Sequence, residues 1–131
     1  MDYRFLEHTA DIMFEAYGKS YPEALQNAAR AMFELLGKSD EKETVEMSVS
    51  SQSIEEMTVD LLSDLLSHMD AHEMIFSRIA IEEFDERKPS VRVIAYGEKI
   101  RPRISIKAVT YHELMVKKDD AGWTIRILLD V

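Results

Sequence analysis

Apolar and polar residues alternate with two different periods along this chain, and the change of period separates helices from strands. Ile12 to Gly18 mixes apolar and polar side chains as a short strand does. Ser20-Tyr21-Pro22-Glu23 then reads as a helix start, with Ser20 as cap, Pro22 in the first turn and Glu23 completing a capping box. Ala24, Leu25, Ala28, Ala31, Met32 and Leu35 recur at helical spacing, and Gly37 is placed to end the run. The pattern predicts a helix over residues 21–36. Val45, Met47 and Val49 alternate with Glu46, Ser48 and Ser50, which marks a half-buried strand. A second capping box, Ser53-Ile54-Glu55-Glu56, opens a helix whose apolar face is Ile54, Met57, Leu61, Leu62, Leu65 and Met69, ending near Glu73.

From Arg78 onward the period is two. Ile79 and Ile81, then Val91 and Val93, predict two strands joined by the polar turn Asp85 to Pro89, a residue that cannot donate to a ladder. After Gly97 a basic connection runs from Lys99 to Arg103. Two last strands follow, around Ile104–Lys118 and Trp123–Leu129, with Asp119-Asp120-Ala121-Gly122 as their turn. Two helices interleaved with hairpin-connected strands define an α+β fold: a single domain, residues 1–131, with a largely antiparallel sheet and both helices packed on one face.

The last hairpin can be read for register. A four-residue loop pairs Lys118 with Trp123, and the pairing then sets Ile125 opposite Val116, Ile127 opposite Leu114 and Leu129 opposite His112. The large apolar groups share one face, and Asp130 faces Tyr111 on the other. Were residues 107–111 one continuous strand, Lys107 would lie roughly 13 Å from Tyr111 along it, too far to ion-pair with a residue opposite.

Composition narrows the function classes. The chain has 131 residues and no Cys, which excludes disulfides, thiolate metal sites and thiol catalysis and suits a reducing cytoplasmic compartment. Neither a signal-peptide pattern nor an apolar run of bilayer length occurs, so no membrane role is expected. A net charge of −9 argues against tight, unaided binding of nucleic acid. The acidic runs Asp40–Glu43 and Glu82–Glu86 serve solubility or dock on a basic partner.

Candidate chemistry is sparse. There is no Gly-rich phosphate loop, no GxSxG elbow and no HExxH. Asp130 and the terminal carboxylate of Val131 lie side by side; they either fray into solvent or share a hard cation. Asp60, Asp64, His68 and His72 form a four-residue stripe along the second helix, read as a solvated face before a metal site. His8 and His112 flank short apolar segments and read first as core histidines. Lys99, Arg101, Arg103 and Lys107 form a basic patch in an acidic chain.

Phe5-Leu6-Glu7-His8-Thr9-Ala10-Asp11-Ile12 resembles the opening signature of the archease family. The resemblance continues through Tyr17-Gly18-Lys19-Ser20, returns at Lys107-Ala108-Val109-Thr110-Tyr111-His112 and closes on Leu128-Leu129-Asp130-Val131. It spans the whole chain, although residues 39–53 and 76–103 match only in pattern. The resemblance implies a non-catalytic activator of the RtcB-type RNA ligase, which promotes that ligase's guanylylation and multiple turnover in tRNA splicing. It implies calcium or another divalent metal ion at Asp11, Asp130 and Val131, and a ligase-activating role for Asp11, Lys107 and Asp130. His8, Tyr111 and His112 stand beside these positions as supporting candidates. The competing expectations are a general chaperone or specificity modulator of RNA-modifying enzymes, and a metal-dependent hydrolase using Asp11 and Asp130 with His8 as base.

Overall fold

The computed structural model describes residues 1–131. Seven strands and two helices follow one another as β1 (Tyr3–Leu6), β2 (Ile12–Gly18), α1 (Tyr21–Leu36), β3 (Glu43–Ser50), α2 (Ile54–His72), β4 (Ile75–Asp85), β5 (Ser90–Glu98), β6 (Ala108–Asp119) and β7 (Gly122–Asp130). All pairings are antiparallel. The strands divide into two sheets rather than the single sheet expected, one ordered β1-β2-β7-β6 and the other β3-β5-β4.

Local chemistry explains the helix ends. The Ser20 hydroxyl accepts from the Glu23 amide at 3.2 Å, and the Glu23 carboxylate accepts from the Lys19 amide. Ser53 and Glu56 repeat the device at α2, satisfying amides that have no intrahelical partner. Gly37, at φ 142°, ends α1 with its amide donating to the Phe33 carbonyl. Arg103 adds a bond from its guanidinium to the Glu34 carbonyl, a cation where the helix dipole favours one. The bond ties the Arg103 side chain to the end of α1 and leaves its charge unpaired by any carboxylate.

The two sheets and two helices share one continuous core. Tyr21 joins them. Its ring stacks on Phe84 of β4 at 4.9 Å and meets Trp123 of β7 edge-on at 5.6 Å, and its hydroxyl lies 2.6 Å from the Thr58 hydroxyl of α2. One side chain thus touches both sheets and the second helix from the first turn of α1. Gly18 lets α1 start this close to β2: a Cβ there would stand 2.3 Å from the Ala24 backbone nitrogen.

On the outer face of the first sheet, Glu15 pairs in register with Arg4 of β1 on one side and Arg126 of β7 on the other. Arg126 donates twice to one carboxylate oxygen, at 2.8 and 3.0 Å, and the Tyr17 hydroxyl donates to the other at 2.9 Å. Burial would raise the Glu15 carboxyl's pKa, but the donors from Arg126, Tyr17 and Arg4 outweigh it and hold the group below its ordinary value.

The closing hairpin differs from the sequence reading in two ways. Asp119 pairs with Gly122, so the loop is the two residues Asp120 and Ala121 rather than four. The register of Lys118 with Trp123 and Val116 with Ile125 is as expected. Between Thr110 and Met115, however, β6 shifts register: four residues there oppose Ile127 alone. Beyond this bulge Thr110 pairs with Leu128, Val109 with Leu129 and Ala108 with Asp130. The expected pairings of Leu114, His112 and Tyr111 with Ile127, Leu129 and Asp130 do not form, because the four residues Tyr111 to Leu114 leave the ladder. Glu113, in the left-handed region at φ 56°, sits within the excursion. Residues 104–107, expected in the strand, precede it as irregular backbone.

Candidate functional site

The β2–β7 ladder ends with Ile12 opposite Leu129. Continuing that register by one step sets Asp11 opposite Asp130, on the outer face shared with Glu15 and Arg126. On the other side of β7, Ala108 faces Asp130, and the Lys107 amide donates to the Asp130 carbonyl at 2.7 Å. One further step sets Lys107 opposite Val131. Two consecutive rows across three chain segments therefore hold Asp11, Asp130, Lys107 and Val131. The bulge in β6 makes this juxtaposition. With the uninterrupted hairpin Asp130 would face Tyr111, and Lys107 would stand about four residues, roughly 13 Å, away.

These groups have few internal partners. Neither the Asp130 carboxylate nor the Lys107 ammonium makes a hydrogen bond or ion pair with a protein side chain, and both residues are exposed. Asp11 is half-buried; its carboxylate lies 3.9 Å from His8 Nδ1. The Val131 side chain packs against the core and so fixes where its carboxylate stands.

Asp11 belongs to the loop of residues 7–11 between β1 and β2, in which Ala10 takes a left-handed φ of 71°. His8 anchors that loop. Its Nε2 donates to Glu113 Oε2 at 3.0 Å, and its Nδ1 lies 3.3 Å from the Thr9 carbonyl. Both ring nitrogens face acceptors, which suits the doubly protonated imidazolium. The hydrogen bond to Glu113 accordingly raises the His8 pKa above its ordinary value. His112 is 73% exposed and approaches the same carboxylate at 3.7 Å. Neither His8 nor His112 is the core histidine that the flanking apolar residues suggested; both face solvent around the β6 bulge.

Tyr111 is 57% exposed and stands apart from Asp130. Partial burial, then the carboxylates of Asp60 and Glu56, raise its pKa. The stripe on α2 is a polar face. His68 and His72 rings lie 4.2 Å apart, and His68 also stacks on Phe76 at 5.8 Å. Burial, His72 and Lys99 lower the His68 pKa.

No group of three or more His, Cys, Asp or Glu side chains is gathered so as to hold a metal ion. The oxygens suited to a hard cation are those of Asp11, Asp130 and the Val131 carboxylate, in adjacent register positions, with His8 beside Asp11 and no basic residue paired with Asp130. They fit such an ion in donor type, and the ion would have to draw the side chains together. Glu113 is the site residue that sequence reasoning missed. Its one signal is an acidic residue where the apolar positions of the strand change phase, from Val109 and Tyr111 to Leu114 and Val116.

A two-sheet α+β protein with a polar rim beside its C-terminus is the class that these features define. Residues 3–131 match the model of the Archease protein family. The chain is 37% identical to Protein archease of Methanosarcina acetivorans, over 98% of this chain and 95% of that one. It is 31% identical to Protein archease of Sulfolobus acidocaldarius, over 98% of each. The solution structure of Methanobacterium thermoautotrophicum Protein 1598 superposes with a TM-score of 0.84 at 29% identity, covering 99% of both chains. A Thermotoga maritima crystal structure, described as an archease and possible chaperone, superposes at 0.70 with 25% identity over 96% of this chain and 94% of that one. The chain belongs to the archease family. No helix is long and apolar enough to cross a membrane.

Proposed function

We propose that this protein is a non-catalytic activator of an RtcB-type RNA ligase, promoting guanylylation and multiple turnover of that ligase in tRNA processing. Calcium or another divalent metal ion is held by Asp11, Asp130 and the Val131 carboxylate, and Lys107 contacts the ligase or an incoming phosphate. The observation that carries the reading is the register of three segments. It gathers Asp11, Lys107 and Asp130 at one exposed rim without internal partners for the two that extend furthest. Polar groups that contribute nothing to the protein's own packing are free to act on a partner.

Asp11 and Asp130 orient oxygens on the outer face, Val131 anchors the rim through its apolar side chain, and Lys107 supplies a cation one row along. A hard cation bound there would neutralise the facing carboxylates and present positive charge toward phosphate oxygens. An open recess beside the rim, lined by Phe5, His8, Asp11, Ile12 and Leu35, gives a partner side chain somewhere to seat. The test is ligation of tRNA halves by the cognate ligase with and without this protein, at substrate in large excess. Added protein should convert a single turnover into many; a ligase that turns over equally well alone would overturn the proposal.

A general chaperone or specificity modulator of RNA-modifying enzymes is the second reading, favoured by the description of the Thermotoga relative as a possible chaperone. It requires binding of several unrelated clients, whereas the first requires selective capture of the ligase.

A further inference from the structure

We propose that Glu113 is a positioning residue for this rim: through His8 it clasps the β1–β2 loop to the β6 bulge and so holds Asp11 in line with Asp130. The inference rests on the reading of Asp11 as a functional group. β1 is a four-residue edge strand, and its ladder with β2 closes at Leu6 and Met13. Residues 7–11 therefore lie outside the β1–β2 ladder, and the backbone holds Asp11 to the sheet only through Ile12, which pairs with Leu129. The bond from His8 Nε2 to Glu113 Oε2 at 3.0 Å is the one side-chain hydrogen bond that ties this loop to another element. It joins residues 105 apart in the chain.

The β6 bulge is what aims Glu113. Its residues leave the ladder, and Glu113 adopts a left-handed φ of 56°, a conformation that a residue with a Cβ takes rarely. The same excursion sets the register that brings Lys107 to Asp130. One irregularity in one strand thus places the rim's two β6-side features, the Lys107 row and the Glu113 clasp. His8 lies between Glu113 and Asp11, 3.9 Å from the Asp11 carboxylate, and a loop freed from Glu113 would let Asp11 leave its place in line with Asp130.

Two substitutions separate positioning from charge. Glu113→Gly removes the carboxylate while suiting the left-handed backbone, so the fold should melt as the parent does. Glu113→Gln keeps an oxygen that can accept from His8 but loses the charge. Amide hydrogen exchange of residues 7–11 in chelator, and ligase activation at multiple turnover, are read for both, beside Asp11→Ala. The expected result is faster loop exchange and activation reduced about tenfold or more in E113G, with both largely kept in E113Q. Parental exchange or activation in E113G, beside an inactive D11A, overturns the clasp alone. An E113Q as defective as E113G also overturns it, because Glu113 would then act by charge. Parental activation by D11A overturns the reading of the rim and the clasp with it.

Discussion

The Lys107 amide donates a 2.7 Å hydrogen bond to the Asp130 carbonyl, and this bond marks the end of the β6–β7 ladder. A backbone contact fixes both residues without using either side chain. The ammonium and the carboxylate stay available, and their placement survives substitution of either. Variants at these positions therefore report on chemistry rather than on the path of the chain.

Metal binding should follow the oxygens. Calcium should bind the parent protein, Asp130→Ala should weaken it, and residues added after Val131 should do the same by moving the carboxylate away from the rim. Calorimetric titration of the chelator-stripped protein measures each, and removing the metal should abolish ligase activation reversibly. An extended C-terminus that leaves affinity unchanged would exclude the Val131 carboxylate as a ligand.

Free RNA should bind poorly. Asp and Glu outnumber Lys and Arg, 25 to 16, and of the four cations in the basic patch Arg101 is ion-paired with Glu73 and Arg103 is held to the Glu34 backbone carbonyl. Fluorescence anisotropy with labelled tRNA at physiological salt should show no tight complex, because too few cations remain to release counterions from the backbone. Tight binding with a steep salt dependence would count against an activator that works through the ligase.

Glu15 should give stability a pH signature. Its folded-state pKa lies below the ordinary value, so its contribution is present above the unfolded pKa and disappears as pH falls through the folded one. Glu15→Gln should cost about 1–2 kcal/mol at neutral pH, since the carboxylate is nearly buried among three donors. Urea melts of both proteins should converge as pH drops from about 5 toward 3. A gap that stays constant with pH would show that the charge of Glu15 contributes nothing.

Tyr21→Phe should keep the stacking on Phe84 and Trp123 and remove only the hydroxyl. Thr58 retains its bond to the Ile54 carbonyl, so no donor is stranded. The expected loss is about 1 kcal/mol by denaturant melting, with ligase activation untouched.

How much of this was legible in the chain depends on the range of the interaction. Both helices were, because Ser20 with Glu23 and Ser53 with Glu56 act within one turn. The hairpin register near its turn was, because Lys118 and Trp123 flank the loop and the apolar matching of Val116 with Ile125 supports it. The bulge was not: the apolar positions change phase across it, from Val109 and Tyr111 to Leu114 and Val116, and a single register carried through the hairpin passed over that change. Nor was β1, four residues whose pairing with β2 is what defines it. The split into two sheets depends on β2 meeting β7 across the whole chain. The same long-range pairing aligns Asp11 with Asp130, which composition and spacing left unconnected. The family motifs named candidate site residues; their geometry had to come from the fold.

The last prediction separates holding the fold together from acting on a partner. Leu65 is fully buried on α2, and truncating it leaves a cavity the core cannot fill. Leu65→Ala should cost about 2–5 kcal/mol and lose ligase activation only in proportion to the fraction unfolded. Asp11, Lys107 and Asp130 pack against nothing in the core, and Asp11 and Asp130 stand in line with like charge. Without metal, Asp11→Ala and Asp130→Ala should therefore melt at or slightly above the parent, and Lys107→Ala should stay within about 0.5 kcal/mol of it. Ligase activation should nevertheless fall sharply in all three. The deciding experiment sets thermal melting in chelator beside ligation turnover for the four variants. Rim variants that melt early, and lose activation only as far as they unfold, would make Asp11, Lys107 and Asp130 structural residues and remove the rim from the mechanism.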